Sequence, residues 1–215
     1  MADSLYGQQG PQDANSPYNA TSFQIREELA KVRTNVPVKI IAVHGGGVGA
    51  APTVDVQPLV NQTDGIGDKT DHGIVYGIRV QRSQGGGSAI INDPKVGDVG
   101  FMSIADRDIS ALTSNEGAQS NPGSSRRFSM ADGVYTGAIL NPAVPGQYVQ
   151  FTDTGVKING FGGGIIEIVG PDVFITGTLH VTGDVIGGDG SVSLLNHIHS
   201  GVVPGGGTSG PPVGS

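Results

Sequence analysis

The most constraining feature of this sequence is a run of very short apolar segments in residues 147–193. They are separated by Thr-Gly, Asn-Gly, Gly-Pro or Gly-Asp turns and form an imperfect repeat of alternating pairs: Val149/Phe151, Val156/Ile158, Ile166/Ile168, Val173/Ile175 and Leu179/Val181. Strands this short, with few large aromatic residues, cannot enclose a core within one chain of fewer than about 50 residues. They would leave edges and an apolar face exposed. We therefore expect identical chains to wind together and share one axial core.

The composition favours an all-β protein. Gly is the commonest residue, with 37 copies in 215, and only 14% of residues are charged. Low charge together with abundant Gly, Val, Ile and Thr is typical of short strands joined by tight turns. The net charge of −7 argues against binding to nucleic acid. The absence of Cys excludes disulfides and thiolate metal sites.

One helix is predicted, over residues 21–34, after a flexible arm formed by residues 1–20. It has a capping-box pattern, an apolar stripe and an i,i+4 ion pair: Thr21 and Gln24, then Ile25, Leu29 and Val32, then Glu27 and Lys31. A single short amphipathic helix needs a partner in water. Packing on its own domain and docking on a neighbouring protein both remain open.

Residues 37–140 show the pattern of a small β-domain. The predicted strands, each bounded by turn residues, are 38–43, 53–60 (where Val54, Val56 and Leu59 alternate with polar neighbours), 73–81, 88–91 and 98–104. Five short strands fit a closed barrel of OB type, although other small barrels share this pattern. The run 85–87 is predicted to be a loop rather than a phosphate site, because no helix or Lys-Ser/Thr pair follows it.

The pair His197 and His199 is the strongest candidate for a chemical site. In an extended chain, residues i and i+2 project to the same side, so both imidazoles face one way. Imidazole binds Fe, Zn, Ni or Cu. Two nitrogens per chain do not complete a coordination shell, but three chains on one axis would supply six. A metal clip at the end of a fibre would compensate for its small apolar area.

The other polar candidates carry weaker signals. His44 and His72 lie near turns and are interpreted as solvated, and His180 is expected to point outward from its strand. The segment Asp106-Arg107-Asp108 is interpreted as local pairing at a strand end. No catalytic triad, carboxylate pair in an obvious cleft or Walker loop is recognisable, so the sequence is interpreted as that of a non-enzyme.

Five segments of this chain resemble a known family, the central spike proteins of contractile-tailed phage baseplates and related injection systems. They are VDVQPL (54–59), PKVGDVG (94–100), ADRDIS (105–110), SRRFSMADG (125–133) and HIH (197–199). The resemblance extends from about residue 31 onward. It implies a virion protein of the tail tip, assembled in the host cytoplasm, that pierces the host outer membrane when the sheath contracts.

The resemblance also implies a domain organisation. Residues 1–35 would be a flexible arm with a short helix, and 36–140 an OB-fold domain that attaches to the baseplate hub or tail tube protein. Residues 141–195 would form an intertwined homotrimeric β-helix shaft, and 196–215 an apex that holds an iron ion through His197 and His199. The lysozyme domain of some family members has no room between residues 140 and 148, which implies a mechanical role.

Two other functions compete with the spike. A trimeric adhesin or stalk that binds a cell-surface receptor would need a distal domain, whereas only residues 200–215 follow His199. A cupin-like metal enzyme also uses His-x-His, but it needs further His and Glu ligands from a later strand. No His or Glu follows His199, so the spike is favoured.

Overall fold

A computed structural model of the chain describes residues 9–64, 66–141, 143–162, 164–188, 192–196 and 205, which are mostly β with few helices. The chain divides into two compact units, Met1–Pro145 (the N-terminal unit) and Gly146–Ser215 (the C-terminal unit). Within the described ranges, no helix is both long and apolar enough to cross a membrane. The elements in chain order are α1 (Pro17–Ala30), β1 (Asn35–His44), β2 (Thr53–Pro58), β3 (Gln62–Thr63), β4 (Lys69–Thr70), β5 (Val75–Val80), β6 (Ser83–Gly85), β7 (Ser88–Ile90), β8 (Val99–Ile104), α2 (Ser110–Ser114), a 3-10 helix (Met130–Asp132), β9 (Gly133–Ala138), β10 (Tyr148–Thr152), β11 (Gly155–Asn159), β12 (Ile186–Gly187) and β13 (Val192–Ser193).

Helix α1 begins at Pro17, not at the predicted residue 21. Ser16 caps it, because its Oγ accepts a hydrogen bond from the Asn19 amide at 3.2 Å. Thr21, predicted to be the cap, instead donates its hydroxyl to the Pro17 carbonyl at 2.9 Å. A Ser cap followed by Pro at the first helical position is the stronger start signal, since Pro has no amide proton to satisfy there.

The end of α1 also differs from the prediction. The helix ends at Ala30 instead of residue 34, and the amide of Lys31 donates to the Glu28 and Leu29 carbonyls as it closes the last turn. The side chain of Lys31 pairs with Glu28 at 2.6 Å, so the predicted pairing with Glu27 was wrong. Both members of this pair are largely exposed, and such pairs contribute little to stability.

Five strands of the N-terminal unit close into a barrel. Their order around it is β1, β2, β5, β9 and β8, and β8 pairs again with β1. All neighbouring pairs are antiparallel except β5 and β9, which run parallel through Arg79 opposite Val134 and Val80 opposite Tyr135. Closure leaves the barrel without a free edge, which protects it from pairing with other chains.

The barrel core follows the alternation of its strands. Its buried apolar residues are Val38, Ile40, Val54, Val56, Ile78, Met102 and Tyr135. Val54 and Val56, which were predicted to alternate with polar neighbours, both point into this core, but Leu59 is 42% exposed and Pro58 takes the next inward position. Strand β2 ends at Pro58, so Leu59 lies beyond the alternating segment.

The fifth barrel strand is not the one predicted. Residues 88–90 form β7, which pairs with β6 in a separate hairpin. The turn of this hairpin contains Gly86 and Gly87, so the loop prediction for 85–87 is confirmed at these two residues, whereas Gly85 ends β6. The barrel is completed by β9, whose Gly-rich sequence was not recognised as a strand. Gly133 in β9 lies against Met102, which occupies the space that a side chain there would need.

The C-terminal unit has little regular structure within one chain. Its strands are the hairpin β10–β11 and the short hairpin β12–β13. Among the described residues 160–185, none forms a strand, so the predicted strand pairs at 166/168, 173/175 and 179/181 have no backbone ladder in the single chain. A β-helix built from several chains therefore stays a prediction.

Candidate functional site

The predicted metal ligands, His197 and His199, lie outside the described residues, so their placement stays a prediction. The chain that leads to them is described as far as Asn196. Strand β13 ends at Ser193, and the residues 194–196 form a turn immediately before the predicted ligand pair. The geometry of the turn that ends at Asn196 is therefore the structural evidence for the predicted metal site.

Asp184 organises the approach to the histidine pair. Its carboxylate accepts hydrogen bonds from the Ser193 hydroxyl at 2.5 Å and from the Leu195 amide at 3.0 Å. The Ser193 hydroxyl also accepts from the Asn196 amide at 2.9 Å. The hydrogen bond from Ser193 is the main cause that holds the pKa of Asp184 below its ordinary value. This ionised side chain anchors the turn that enters the predicted site.

The described histidines do not form a metal site. Within the described ranges, no group of three or more His, Cys, Asp or Glu side chains is arranged to hold a metal ion. His44 Nε2 lies 2.9 Å from Asp55 Oδ2, and Asp55 also accepts from the Gly77 amide at 3.0 Å. The hydrogen bond with His44 lowers the pKa of Asp55. His44 is thus an exposed partner of a carboxylate at the end of β1 rather than a ligand.

The hairpin β10–β11 carries an uncovered apolar face. Val149 lies opposite Ile158, and Phe151 lies opposite Val156, so all four side chains share one face of the hairpin. They are 59–80% exposed. The opposite face is polar and includes Gln150 opposite Lys157. A hairpin with one polar and one apolar face is stable in water only when something covers the apolar face.

The same exposure continues along the C-terminal unit. None of its described residues is buried. Apolar exposure at so many positions of one unit is typical of a surface that binds another protein. The other exposed large apolar residues of this unit are Phe161, Ile165, Ile166, Ile168, Val169, Val173, Phe174, Ile175, Leu179, Val181, Val185, Ile186, Val192, Leu194 and Leu195.

A buried charged cluster lies in the loop between β8 and β9 and was not predicted. Asp108 and Asp132 are both inaccessible, with side chains 2% exposed, and Arg126 bridges them. Arg126 Nε and Nη2 donate to Asp132 at 2.7 and 2.8 Å, and Nη2 also donates to Asp108 at 2.8 Å. Two carboxylates can be buried here because each is paired with the guanidinium and hydrogen-bonded.

Serine hydroxyls and main-chain amides complete the cluster. Ser124 donates to Asp108 at 2.7 Å, and the Ser110 amide donates to Asp108 at 2.9 Å. The Ile109 amide donates to Asp132 at 3.1 Å. Hydrogen bonds from Ser110 and Ser124 lower the pKa of Asp108 to about 2. Asp108 therefore stays ionised at neutral pH, and its contacts with Arg126 and Ser124 tie the long loop together.

The prediction of local pairing for Asp106, Arg107 and Asp108 holds for only part of this segment. Arg107 and Asp106 are neighbours with an N–O distance of 3.8 Å, as predicted. Asp108 instead turns inward to a residue far along the chain. The available signal was the pattern Asp-Ile-Ser, in which an Asp side chain accepts from the amide two residues later. The partner Arg126 carries no comparable local signal.

A second ionic cluster holds the glycine-rich loop between β1 and β2. The Asp93 carboxylate accepts from the Gly47 amide at 2.5 Å and from Arg82 at 3.0 Å, and Arg82 also donates to the Gly49 carbonyl at 2.7 Å. The hydrogen bond from Gly47 is the main cause that lowers the pKa of Asp93. Gly46 has φ +121° and lies against Asp93, where a side chain has no space. The loop is pinned rather than free.

Comparison with known proteins identifies one segment. Residues 191–213 match the family model described as the GpV Apex motif, and this range includes His197 and His199. The motif is the metal-binding tip of phage central spikes. No curated protein sequence matches the chain significantly. The chain therefore carries the apex motif of a phage tail spike. This match supports its assignment as a component of the tail tip.

Proposed function

We propose that this protein is the central spike of a phage tail baseplate, a homotrimer that pierces the host outer membrane when the sheath contracts. The observation that carries the proposal is the order of two features along the chain. A segment with no buried residue among those described, 146–188, leads directly into the apex motif at 191–213. A fibre that derives its core from several chains and ends in a metal-binding tip accounts for both.

The trimeric shaft is supported by the side chains and the backbone of residues 146–188. The apolar face of β10–β11 needs a cover, and the described residues 160–185 have no strand partner within the chain. Winding around two further copies would cover the apolar residues and would give this segment the backbone ladder that it lacks within one chain. Both requirements would be met by one arrangement, an intertwined β-helix.

An OB-type assignment of the barrel is supported by its topology. It has five strands, and β5 and β9 are its one parallel pair. This is the strand number of the Greek-key OB barrel, whose strands and loops serve as binding surfaces. In the proposed spike, the barrel attaches to the baseplate hub or tail tube protein and leaves the C-terminal unit for the target membrane.

The metal would be held by His197 and His199 from each of three chains. Imidazole nitrogens suit a first-row transition metal, and six of them match an octahedral ion such as iron. The anchoring of the preceding turn by Asp184 and Ser193 would present the pair from a fixed base. The ion would join the three chain ends where little apolar area remains.

The proposed spike acts mechanically rather than as an enzyme. The buried carboxylates, Asp108 and Asp132, are fully engaged with Arg126 and neighbouring groups, which leaves them no role as acid or base. A trimeric adhesin that binds a receptor is the alternative function. It shares the uncovered apolar shaft, but the apex motif favours the spike.

The trimer and the metal site can be tested on the purified full chain. Light scattering should give three times the chain mass of 21.8 kDa, and elemental analysis should find one transition metal per three chains. The double change His197→Ala and His199→Ala should remove the metal. The matched double change His72→Ala and His180→Ala should leave it bound. Acid should release the metal, because imidazole binds metal only when deprotonated.

Two results would overturn the proposal. A single-chain mass at all concentrations would remove the basis for the shaft. Metal that survives the loss of both apex histidines, or that stays bound in acid, would place the ligands elsewhere. Piercing itself is tested by adding the trimer to lipid vesicles under applied force, with the apex double variant as the comparison. Equal rupture forces would deny the apex a mechanical role.

A further inference from the structure

The only Asn-Gly pair in the sequence lies at the open end of the hairpin β10–β11 and does not form its turn. Asn159 is the last residue of β11, opposite Tyr148, and Gly160 follows outside the strand. The side-chain amide of Asn159 donates to the Gly146 carbonyl at 2.8 Å. Asn159 therefore joins the end of β11 to the first residue of the C-terminal unit.

Gly146 is also held at this end of the hairpin by an aromatic ring. The place that a Cβ would take at Gly146 is occupied by the ring of Phe161, so the ring lies directly on the glycine backbone. Asn159 and Gly146 are both half-buried. The hydrogen bond from Asn159 and the contact with Phe161 together close the open end of the hairpin. We call these three residues, Gly146, Asn159 and Phe161, the base clamp.

An Asn-Gly pair can deamidate without an enzyme, with water as the co-reactant. The main-chain nitrogen of Gly160 would lose its proton to solvent and attack Cγ of Asn159, which closes a succinimide ring. The side-chain nitrogen of Asn159 would take up a proton and leave as ammonia. Water then opens the ring at either carbonyl carbon and yields aspartate or isoaspartate at position 159. Glycine favours ring closure because it has no side chain to obstruct its nitrogen.

The structure leaves the attacking nitrogen available and holds the leaving group. Within the described residues, the Gly160 amide donates to no main-chain carbonyl. The amide nitrogen that would leave is instead engaged with Gly146. The extended backbone of β11 and this hydrogen bond therefore oppose ring closure while the hairpin is intact. Opening of the hairpin would remove both restraints.

Either product would break the base clamp. A carboxylate has no donor, so residue 159 would lose its hydrogen bond and place two acceptors against each other at Gly146. Isoaspartate also adds a carbon to the main chain at the residue that pairs with Tyr148. The last pair of the ladder would then be lost. The neighbouring apolar pair, Val149 opposite Ile158, lies next in line and would lose its fixed position.

We propose that Asn159 is a self-modification site, at which chains that have not assembled deamidate and lose the ability to assemble. The proposal rests on the proposed trimer. An isolated two-stranded hairpin is marginally stable at best in water, so a single chain opens its hairpin and releases Asn159 for ring closure. In a trimer, the covered apolar face keeps the hairpin closed and the base clamp intact. Assembly therefore protects Asn159.

The rate of deamidation at each asparagine tests the site on the full chain. The unmodified protein and Phe151→Asp, whose single-chain state light scattering verifies, are incubated at mildly alkaline pH. Mass spectrometry of their peptides then measures the fraction in which acid has replaced amide. We expect Asn159 to convert several-fold faster in Phe151→Asp than in the unmodified protein. Within Phe151→Asp, it should convert several-fold faster than exposed Asn115, which precedes Glu116.

A second change verifies the chemistry of the step. Adding Gly160→Ala to Phe151→Asp should slow the conversion of Asn159 several-fold, because the methyl group obstructs the attacking nitrogen. The conversion of Asn115 should stay the same in this double variant. Conversion of Asn159 at an unchanged rate would exclude ring closure through the nitrogen of residue 160.

The outcomes separate this inference from the proposed function. If Asn159 converts no faster than Asn115 in Phe151→Asp, the modification site is wrong whatever the oligomeric state. If the unmodified protein is a trimer and its Asn159 converts as fast as in Phe151→Asp, protection by assembly is wrong and the trimer stands. If the unmodified protein is a single chain, the proposed trimer and the protection fail together. Slow conversion in the trimer and fast conversion in the single chain support the proposal.

The consequence for assembly is tested by Asn159→Asp, which reproduces one product. Hydrogen–deuterium exchange of the β10–β11 amides should become several-fold faster, and light scattering should give a lower fraction of trimer. Gln150→Glu makes the same change from amide to acid on the polar face of this hairpin, opposite Lys157, and should leave both measurements unchanged. Circular dichroism verifies that the barrel is folded in both variants. Exchange and assembly of Asn159→Asp equal to those of the unmodified protein would overturn the role of the base clamp.

Discussion

The barrel and residues 146–188 use similar β-forming apolar residues, yet they bury them very differently. In the barrel, Ile40 and Met102 are completely inaccessible. In the hairpin β10–β11, Phe151 remains 80% exposed although its strand alternates equally well. Alternation fixes which side chains share a face, and only closure of the sheet gives that face something to cover it.

This difference in burial indicates which contacts stabilise each region. The barrel closes on itself, so its stability is a property of one chain. The C-terminal unit has an exposed apolar face, and its described residues 160–185 form no strand, so the proposed trimer would make its stability depend on association. The two regions should accordingly respond to different substitutions and to different conditions.

The largest expected effect is the loss of association on introducing a charge into the apolar hairpin face. Phe151→Asp places a carboxylate where the proposed chains meet, and an unpaired buried charge is strongly unfavourable. We expect light scattering to give the single-chain mass while the circular dichroism of the barrel persists. Gln150→Asp, on the polar face, should remain assembled. Equal behaviour of the two variants would remove the distinction between the faces.

A large effect confined to the barrel is expected for a core truncation. Ile40→Ala should lower the free energy of unfolding by about 2–5 kcal/mol, because it removes buried methylenes and leaves a cavity. Ile66→Ala, at a position that is 81% exposed, should change it by less than about 0.5 kcal/mol. Denaturant titration followed by circular dichroism measures both. A similar loss at the two positions would contradict the assignment of the core.

A smaller loss of barrel stability is expected from a substitution at Gly100, where the absence of a side chain leaves space for an aromatic ring. A Cβ at Gly100 would overlap the Tyr135 ring and the Gly137 carbonyl. Gly100→Ala should therefore destabilise the barrel by about 1–3 kcal/mol through overpacking. At Gly87, no neighbouring atom lies within 4 Å of the place that a Cβ would take, so Gly87→Ala serves as the control. Thermal unfolding should distinguish the two variants.

The smallest expected effect is a change in barrel stability that occurs only at acidic pH. The pKa of Asp108 is lowered to about 2 by hydrogen bonds from Ser110 and Ser124. A lowered pKa adds stability that is fully present above the ordinary value of 3.8 and is lost as the pH falls through about 2. Asp108→Asn should reduce the dependence of barrel unfolding on pH in this range. The control Asp106→Asn, at an exposed position, should keep the pH dependence of the unmodified protein. An unchanged profile in Asp108→Asn would refute the assignment of this pH dependence to Asp108.

Prediction from the sequence succeeded where the local pattern and the fold agree. The alternation of Val54 and Val56 with polar neighbours predicts that they share one face, because a strand forces successive side chains to opposite faces, and both are buried in the barrel. It failed for β9, whose two glycines weaken the strand signal although Gly133 is required by contact with Met102. It also missed the link from Asp108 to Arg126, since no local pattern relates residues so far apart.

The candidate metal site likewise has some features that the sequence predicts and others that only the structure reveals. The His-x-His pattern and the turn residues around it are properties of the sequence, and the apex motif match includes them. The hydrogen bonds of Asp184 to Ser193 and Leu195 were not predictable, because they depend on how the chain folds back between them. The ligand pair itself remains a sequence-based prediction.

The sequence by itself determined the all-β character, the alternation of the strands and the apolar face that residues 146–188 present, because these follow from local preferences and side-chain period. The tertiary structure decided which strands close the barrel, which charged residues are buried and where α1 begins and ends. Those outcomes depend on contacts between distant residues, whose free energies are set by burial and pairing rather than by local pattern.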